Sequence, residues 1–341
     1  MAQEKTEEFE KVQGVKKPGK NKAMETGQYF DFFEHEAGMF NTIGPKAREI
    51  IEQDCKIISA CTARPYPLVV DSAKGSVIRD IDGREYIDLV AGIAVMNAGY
   101  SNPEVKAAIS AQLEKMTHCG YGDFFAEPPV KLAKKLSELS GYSKVFYCNS
   151  GTEAVEAAIK LAFWKTKRQG LISFYNSFHG RTLGSLSLTC SKARQKEHFP
   201  AFRTAHSHYA YCYRCPFKLE YPSCGVECAK ELENLIFRRE LSPMDTAAVF
   251  VEPVQGEGGY IVPPPEFHRE VRQICTDNDV LLVADEVQAG CFRTGPFLAM
   301  KNFEVRAEIS CFAKALGGGL PLGAMLADRE IMDWPQGVHS N

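Results

Sequence analysis

The sequence contains no run approaching the roughly 20 apolar residues that a membrane-spanning helix needs. Its opening segment, Met1 to Lys22, mixes Glu and Lys and lacks the apolar stretch of a secretory leader. Neither membrane insertion nor export is expected, and the cytoplasm is the expected compartment. Charge of one sign is scarce as well: 40 basic residues stand against 43 acidic ones, a formal net charge of -3. A chain so nearly balanced has no overall field to hold it on nucleic acid or an anionic membrane, so small anionic ligands must be gripped locally. There is no internal repeat and no low-complexity tract. What is present is an ordinary globular composition: of 341 residues, 45% are hydrophobic and 24% charged. That length allows one large domain and part of a second. Twelve cysteines in a chain without an export signal are expected as reduced thiols, with no disulfide framework.

Residues 1–25 are charged and aperiodic and are expected to form a flexible arm without chemistry. Within residues 26–100 come a helix-like Lys46 to Ile58, the Pro-rich Arg64-Pro65-Tyr66-Pro67, and short strand candidates around Ile78, Tyr86 and Ile87 divided by an Asp82-Gly83 turn. These predict a small antiparallel sheet. Over residues 101–335 helical segments alternate with apolar strands at Val145 to Tyr147, Gly170 to Phe174, Ala247 to Val251 and Val280 to Ala284. Two helix candidates, Glu153 to Thr166 and Glu266 to Asp277, each gather apolar residues on one face. Such alternation predicts an α/β fold in which helices cover a mostly parallel sheet.

Five segments carry residue types suited to chemistry. In Cys148-Asn149-Ser150-Gly151-Thr152-Glu153, where a strand turns into a helix, unpaired backbone N–H groups at the positive end of a helix dipole would form an anion cradle. The ordinary alternative is that Ser150 or Thr152 is only a helix cap. In Val280 to Gln288 two carboxylates end an apolar strand, where ligands collect in open α/β sheets. A buried Asp285 wants a cation such as a protonated pyridine nitrogen, or else a salt bridge or cap. In Ile309 to Gly323, Lys314 is the only charge in an apolar stretch, so desolvation should lower its amine pKa and suit it to Schiff-base chemistry. A snorkelling lysine is the alternative there. Phe178-His179-Gly180-Arg181-Thr182 offers an aromatic face for a planar ring and a guanidinium for a carboxylate. Glu252-Pro253-Val254-Gln255-Gly256-Glu257-Gly258-Gly259 suits a loop lining a cleft, or a plain Gly-rich turn.

In their order and combination these segments, above all Asp285-Glu286-Val287-Gln288-Ala289-Gly290-Cys291-Phe292-Arg293-Thr294-Gly295 followed by Lys314 and its glycines, resemble class III aminotransferases. The resemblance runs from Gly44 to the last residue. It implies the aspartate-aminotransferase-like fold type I of the pyridoxal-phosphate (PLP) transferases. The large domain would hold the cofactor, the N-terminal segment would supply part of a small domain, and a C-terminal domain beginning at residues 336–341 would be missing. By the same resemblance Lys314 forms the Schiff base and moves the proton, while Asp285 keeps the ring nitrogen protonated. Ser150, Gly151 and Thr152 lie at the phosphate, Phe178 with His179 at the ring, and Gln288 near the phenolic oxygen. Arg181 grips the substrate's distal carboxylate, and Glu252 and Glu257 line the site, Glu257 matching a residue able to pair with an arginine of the C-terminal domain.

Ala91 to Tyr100 is similar to the substrate-lining segment of 4-aminobutyrate aminotransferases, with Ile93 bounding the pocket. An ω-amino acid donor with 2-oxoglutarate as acceptor is the expectation. Ornithine and acetylornithine aminotransferases and PLP-dependent racemases share the same motifs. A homodimer or higher homo-oligomer is implied by resemblance alone. The chain ends at Gly337-Val338-His339-Ser340-Asn341, where such proteins continue, so it is expected to be truncated, and a non-catalytic remnant serving as a subunit or binding partner is the rival of another class. Cys212, Cys215, Cys224 and Cys228 could hold zinc or an iron-sulfur cluster. The last pair is C-x-x-x-C and transamination needs no metal, so no metal ligand is assigned.

Overall fold

Two carboxylates around one turn organise the first part of the chain in the computed structural model, which describes residues 43–62 and 64–339. The arm expected over residues 1–25 lies outside the described residues. Helix α1 (Pro45–Ile57) starts with proline at its first turn, where the missing N–H costs nothing. Gly44 before it has no capping side chain, and Asp82 substitutes, accepting from Lys46 N at 3.3 Å and Ala47 N at 3.1 Å. A Cβ on Gly44 would lie 2.1 Å from Asp82 Cγ, so glycine is what lets the carboxylate approach. Strands β1 (Val70–Lys74), β2 (Val77–Asp80) and β3 (Glu85–Ile87) form the expected antiparallel sheet in that order. Buried Asp80 closes its second turn, accepting from Arg84 N at 2.8 Å, Arg84 Nε at 2.9 Å and Tyr86 Oη at 3.0 Å. This first compact unit ends at Leu89 and a second begins at Val90.

The second unit opens with α2 (Pro103–Leu113) and α3 (Glu127–Ser140) and then builds a seven-stranded sheet. Its elements are β4 (Lys144–Cys148), α4 (Gly151–Thr166), β5 (Gly170–Phe174), α5 (Leu183–Leu188), β6 (Thr204–Ser207), α6 (Glu227–Glu231, continued as a π-helix to Glu240), β7 (Thr246–Val251), α7 (Pro265–Asp277), β8 (Leu281–Asp285), β9 (Ile309–Phe312) and β10 (Gly323–Ala327). The order across the sheet is β4-β10-β9-β8-β7-β5-β6. Only β10 runs against its neighbours β9 and β4; the rest are parallel.

Every residue of β5 and β7 is buried, because helices cover both faces and neither face needs polar side chains. Alternate residues serve opposite layers. Ile172, Phe174, Val249, Val251 and Leu282 pack with Leu232 and Ile236 beyond α6 and with Phe267, Val271 and Ile274 of α7. Leu171, Ala248, Phe250, Val283 and Ile309 pack on Ala154, Ala157, Ala158, Ile159, Leu161 and Ala162 of α4. Each large apolar side chain so enclosed contributes roughly 1.5–3 kcal/mol. This frame brings the C-terminal ends of β4, β5, β7, β8 and β9 to one edge, and every chemically suggestive segment follows one of those ends. Among the described residues no helix is long and apolar enough to cross a membrane.

Candidate active site

Ser150 caps α4, its Oγ accepting from Glu153 N at 3.3 Å, while Glu153 reaches back to Asn149 N at 2.7 Å. The N–H groups of Gly151 and Thr152 have no partner among the described residues and lie at the positive end of a 16-residue helix. Gly151 is needed there: an added Cβ would meet Val287 Cγ1 at 2.9 Å. The Thr152 hydroxyl contacts Thr182 Oγ1 at 2.8 Å and Ser185 Oγ at 2.6 Å. That network reaches Glu156, whose Oε1 accepts from the Thr182 hydroxyl and from Ser185 N. Thr182 ends the Phe178-to-Thr182 segment but has no expected role there, and Glu156 and Ser185 lie outside every segment singled out for chemistry. For Glu156 the sequence signal is that it lies four residues beyond Thr152, on the same helix face.

Asp285 ends β8 buried, with Oδ2 2.7 Å from His179 Nδ1 and Oδ1 accepting from Val287 N at 3.1 Å. His179 is itself fixed by its N–H donating to Thr189 Oγ1 at 2.9 Å. Burial works against a charged imidazole, but the hydrogen bond and charge of Asp285 outweigh it and leave the His179 pKa above its ordinary value. Glu286, next in sequence, faces the other way. It turns into the core and accepts from Ala299 N at 2.8 Å and Met300 N at 3.0 Å. Desolvation pushes its carboxyl up to about 7.

Glu252, after β7, is buried and spans two loops, accepting from Phe178 N at 2.9 Å and Gly256 N at 3.0 Å. Its pKa too is pushed up to about 7, chiefly by desolvation. Gln288 lies directly over Gly256, where a Cβ would be 1.9 Å from its Oε1. Phe178 is partly buried, and the exposed Arg181 guanidinium stands 5.8 Å from its ring centroid. Glu257 is exposed and pairs with Lys192 at 2.9 Å.

Lys314 follows β9 with φ of +48°, a left-handed conformation that costs a lysine energy and is held by the surrounding turn. Its amine makes no hydrogen bond or ion pair among the described residues. Desolvation lowers its pKa below 10.5, opposed in part by Asp285, Glu252 and Glu257. Ile93 belongs to a left-handed turn, Ala91 to Ala94, and is 58% exposed. That segment touches the loop after the lysine, since a Cβ on Gly319 would lie 3.5 Å from Met96 Sδ. The four clustered cysteines Cys212, Cys215, Cys224 and Cys228 line one cavity of about 20 Å³ away from these groups. Among the described residues no three His, Cys, Asp or Glu side chains are placed to hold a metal ion.

The sequence profile of the family described as Aminotransferase class-III matches residues 58–341. The chain belongs to this family. Class III aminotransferases depend on PLP, and their large domain is the fold type I α/β sheet seen here. The chain is 39% identical over 292 residues to acetylornithine aminotransferase of Methanosarcina mazei, covering 86% of this chain and 68% of that protein. It is 38% identical over 292 residues to the leucine/methionine racemase of Thermococcus litoralis (84% and 66%) and 34% identical over 291 residues to the 4-aminobutyrate aminotransferase of Escherichia coli (84% and 66%). Among solved structures it resembles the taurine:2-oxoglutarate aminotransferase of Bifidobacterium kashiwanohense, in complex with PLP and glutamate, with a TM-score of 0.79 and 27% identity over 86% of this chain and 68% of that one. It thus spans about two thirds of these proteins.

The residues present suit the family's cofactor. Two free N–H groups at a helix start fit a phosphate. A buried carboxylate fixed by a histidine fits a protonated ring nitrogen, and an unpartnered, desolvated amine fits an aldehyde. All three stand at one sheet edge.

Proposed function

We propose that this aminotransferase takes an amino group from an ω-amino acid of the 4-aminobutyrate type and passes it to 2-oxoglutarate. The observation that carries the reading is the convergence of Lys314, the His179–Asp285 pair and the open start of α4 at one sheet edge. When bound, PLP supplies an electron sink for charge developing on the substrate carbon. Lys314 would hold the cofactor and, with its pKa lowered by desolvation, take and return the proton at that carbon. Asp285, oriented by His179, would accept a hydrogen bond from the protonated ring nitrogen. Gly151 and Thr152 would hold the phosphate, with Ser150 shaping that turn. Phe178 would cover the ring, Gln288 would lie near its phenolic oxygen, and Glu252 would fasten the Phe178 and Gly256 loops together. Arg181, exposed beside Phe178, would grip the distal carboxylate, with Glu257 at the rim and Ile93 bounding the donor. Likeness to the 4-aminobutyrate enzyme and to Ala91-to-Tyr100 segments of its kind supports the donor.

A second reading, an acetylornithine aminotransferase or an amino-acid racemase, is favoured by the higher identities to those two relatives. The deciding experiment follows the visible absorbance of the PLP-loaded chain as 4-aminobutyrate, acetylornithine or leucine is added without keto acid. Conversion by 4-aminobutyrate in preference to the others supports the proposal. Conversion by acetylornithine alone, or racemisation of leucine without lasting conversion, replaces it. We extend the proposal to a homo-oligomer, because Tyr121, Phe124 and Phe125 present apolar rings to solvent at 55%, 67% and 104% exposure. A monomer in sedimentation at micromolar concentration would remove that extension.

A further inference from the structure

Glu156 places a negative charge on the same helix face as Thr152, one turn from the N–H groups proposed to hold a phosphate. A carboxylate there opposes anion binding unless it does something for the site in return. Its contacts show what that is. Glu156 Oε1 accepts both the Thr182 hydroxyl and, at 2.9 Å, Ser185 N. Thr182 Oγ1 and Ser185 Oγ stand 2.9 Å apart, and each contacts Thr152 Oγ1, at 2.8 and 2.6 Å. A carboxylate only accepts, so the Thr182 proton is committed to it and the hydroxyl triangle has one fixed corner.

The backbone is shaped around this cluster at two separate points. A Cβ on Gly180 would lie 2.3 Å from Thr152 Oγ1 and 2.4 Å from Ser185 Oγ, while a Cβ on Gly184 would lie 2.2 Å from Glu156 Oε2. Gly180 also has φ of +137°, open chiefly to glycine. The two glycines let the loop from Phe178 to Ser185 lie against α4 closely enough for the hydroxyls to meet.

We infer that Glu156 is a positioning residue for the cofactor's phosphate: through Thr182 and Ser185 it fixes the Thr152 hydroxyl, and it ties the Phe178–Arg181 loop to the start of α4. The inference rests on the reading of that start as the phosphate site. The test titrates the cofactor-stripped chain with PLP and records the dissociation constant alongside the melting temperature. Glu156→Met, which removes the acceptor and the charge, is expected to weaken PLP binding about tenfold. Glu156→Gln is expected to restore most of that loss, because a single oxygen receives both donors. Thr182→Val, which breaks the same chain from its other end, is expected to weaken binding to a similar degree and serves if Glu156→Met does not fold.

The sign decides the matter. A carboxylate that merely stands near the anion should give tighter PLP binding when removed, so unchanged or tighter binding in Glu156→Met, or in Thr182→Val, overturns the inference. A fall in melting temperature with unchanged PLP affinity also overturns it, leaving Glu156 a structural residue only. Failure of the underlying reading looks different: Thr152→Val would then bind PLP as the unaltered chain does, and the inference would go with it.

Discussion

At the start of α2, Asn102 Oδ1 accepts from Glu104 N at 3.0 Å and Val105 N at 3.2 Å, and Pro103 has no N–H to satisfy. At the start of α4, Ser150 Oγ reaches only Glu153 N, and the N–H groups of Gly151 and Thr152 find no partner among the described residues. Both helices use a polar cap at the expected position. The first is closed by a side chain that reaches two donors and a proline that removes a third. The second is left open by a shorter side chain and a glycine. We propose that the donors left free at the start of α4 are kept for a ligand.

The strongest way to break this contrast is to close the α4 start. Gly151→Val would force a side chain against Val287 and over the free N–H groups. PLP affinity should fall about 100-fold, as for two lost charge-assisted hydrogen bonds, with about 1–3 kcal/mol of stability lost to overpacking. Calorimetric titration with unchanged affinity would show that the open donors hold no anion. Smaller effects should come from the caps themselves. Asn102→Ala and Ser150→Ala should each cost about 1 kcal/mol in denaturant unfolding, but only Ser150→Ala should also loosen PLP. Equal PLP affinities in the two variants would erase the distinction between the helix starts.

The smallest expected effect concerns the lysine proposed to work with that start. The Lys314 pKa is lowered on folding, so between its folded value and 10.5 the unfolded chain binds the extra proton. Stability of the chain should therefore rise with pH across that window. Lys314→Met should be the more stable protein at neutral pH, and its advantage should shrink as pH approaches 10.5. Thermal melts showing a pH-independent difference would mean that the amine titrates in the folded chain as a solvated lysine does.

Much of the frame was legible in the sequence, because fully apolar runs such as Gly170 to Phe174 and Ala247 to Val251 are what a sheet covered on both faces requires. The four strands expected there begin and end within one residue of β4, β5, β7 and β8, whereas β6, β9 and β10 had no expected bounds. The candidates proposed around Gly151, Phe178, Glu252, Asp285 and Lys314 were legible for a related reason: each follows an apolar strand, and strand ends are where such a sheet collects ligands. The hydroxyl triangle was not legible, since Thr152 and Thr182 are 30 residues apart and no local period records their meeting. Nor was the division of labour between Asp285 and Glu286, adjacent carboxylates of which one faces His179 and the other the backbone of Ala299 and Met300. The left-handed turn at Ala91 to Ala94 escapes local reading because three of its four residues carry a Cβ and prefer the opposite hand.

Strand β10 has a consequence for how the protein is made. Among the described residues it is the only sheet partner of β4, joining residues as far apart as Cys148 and Gly323. While the chain emerges from the ribosome, β4 therefore stays without this partner until residues 323–327 have been synthesised. The segment proposed to hold phosphate and the lysine proposed to meet it come into register only when β10 slides between them. Folding intermediates lacking β10 should thus display a bare strand edge, the kind of surface that pairs with another chain.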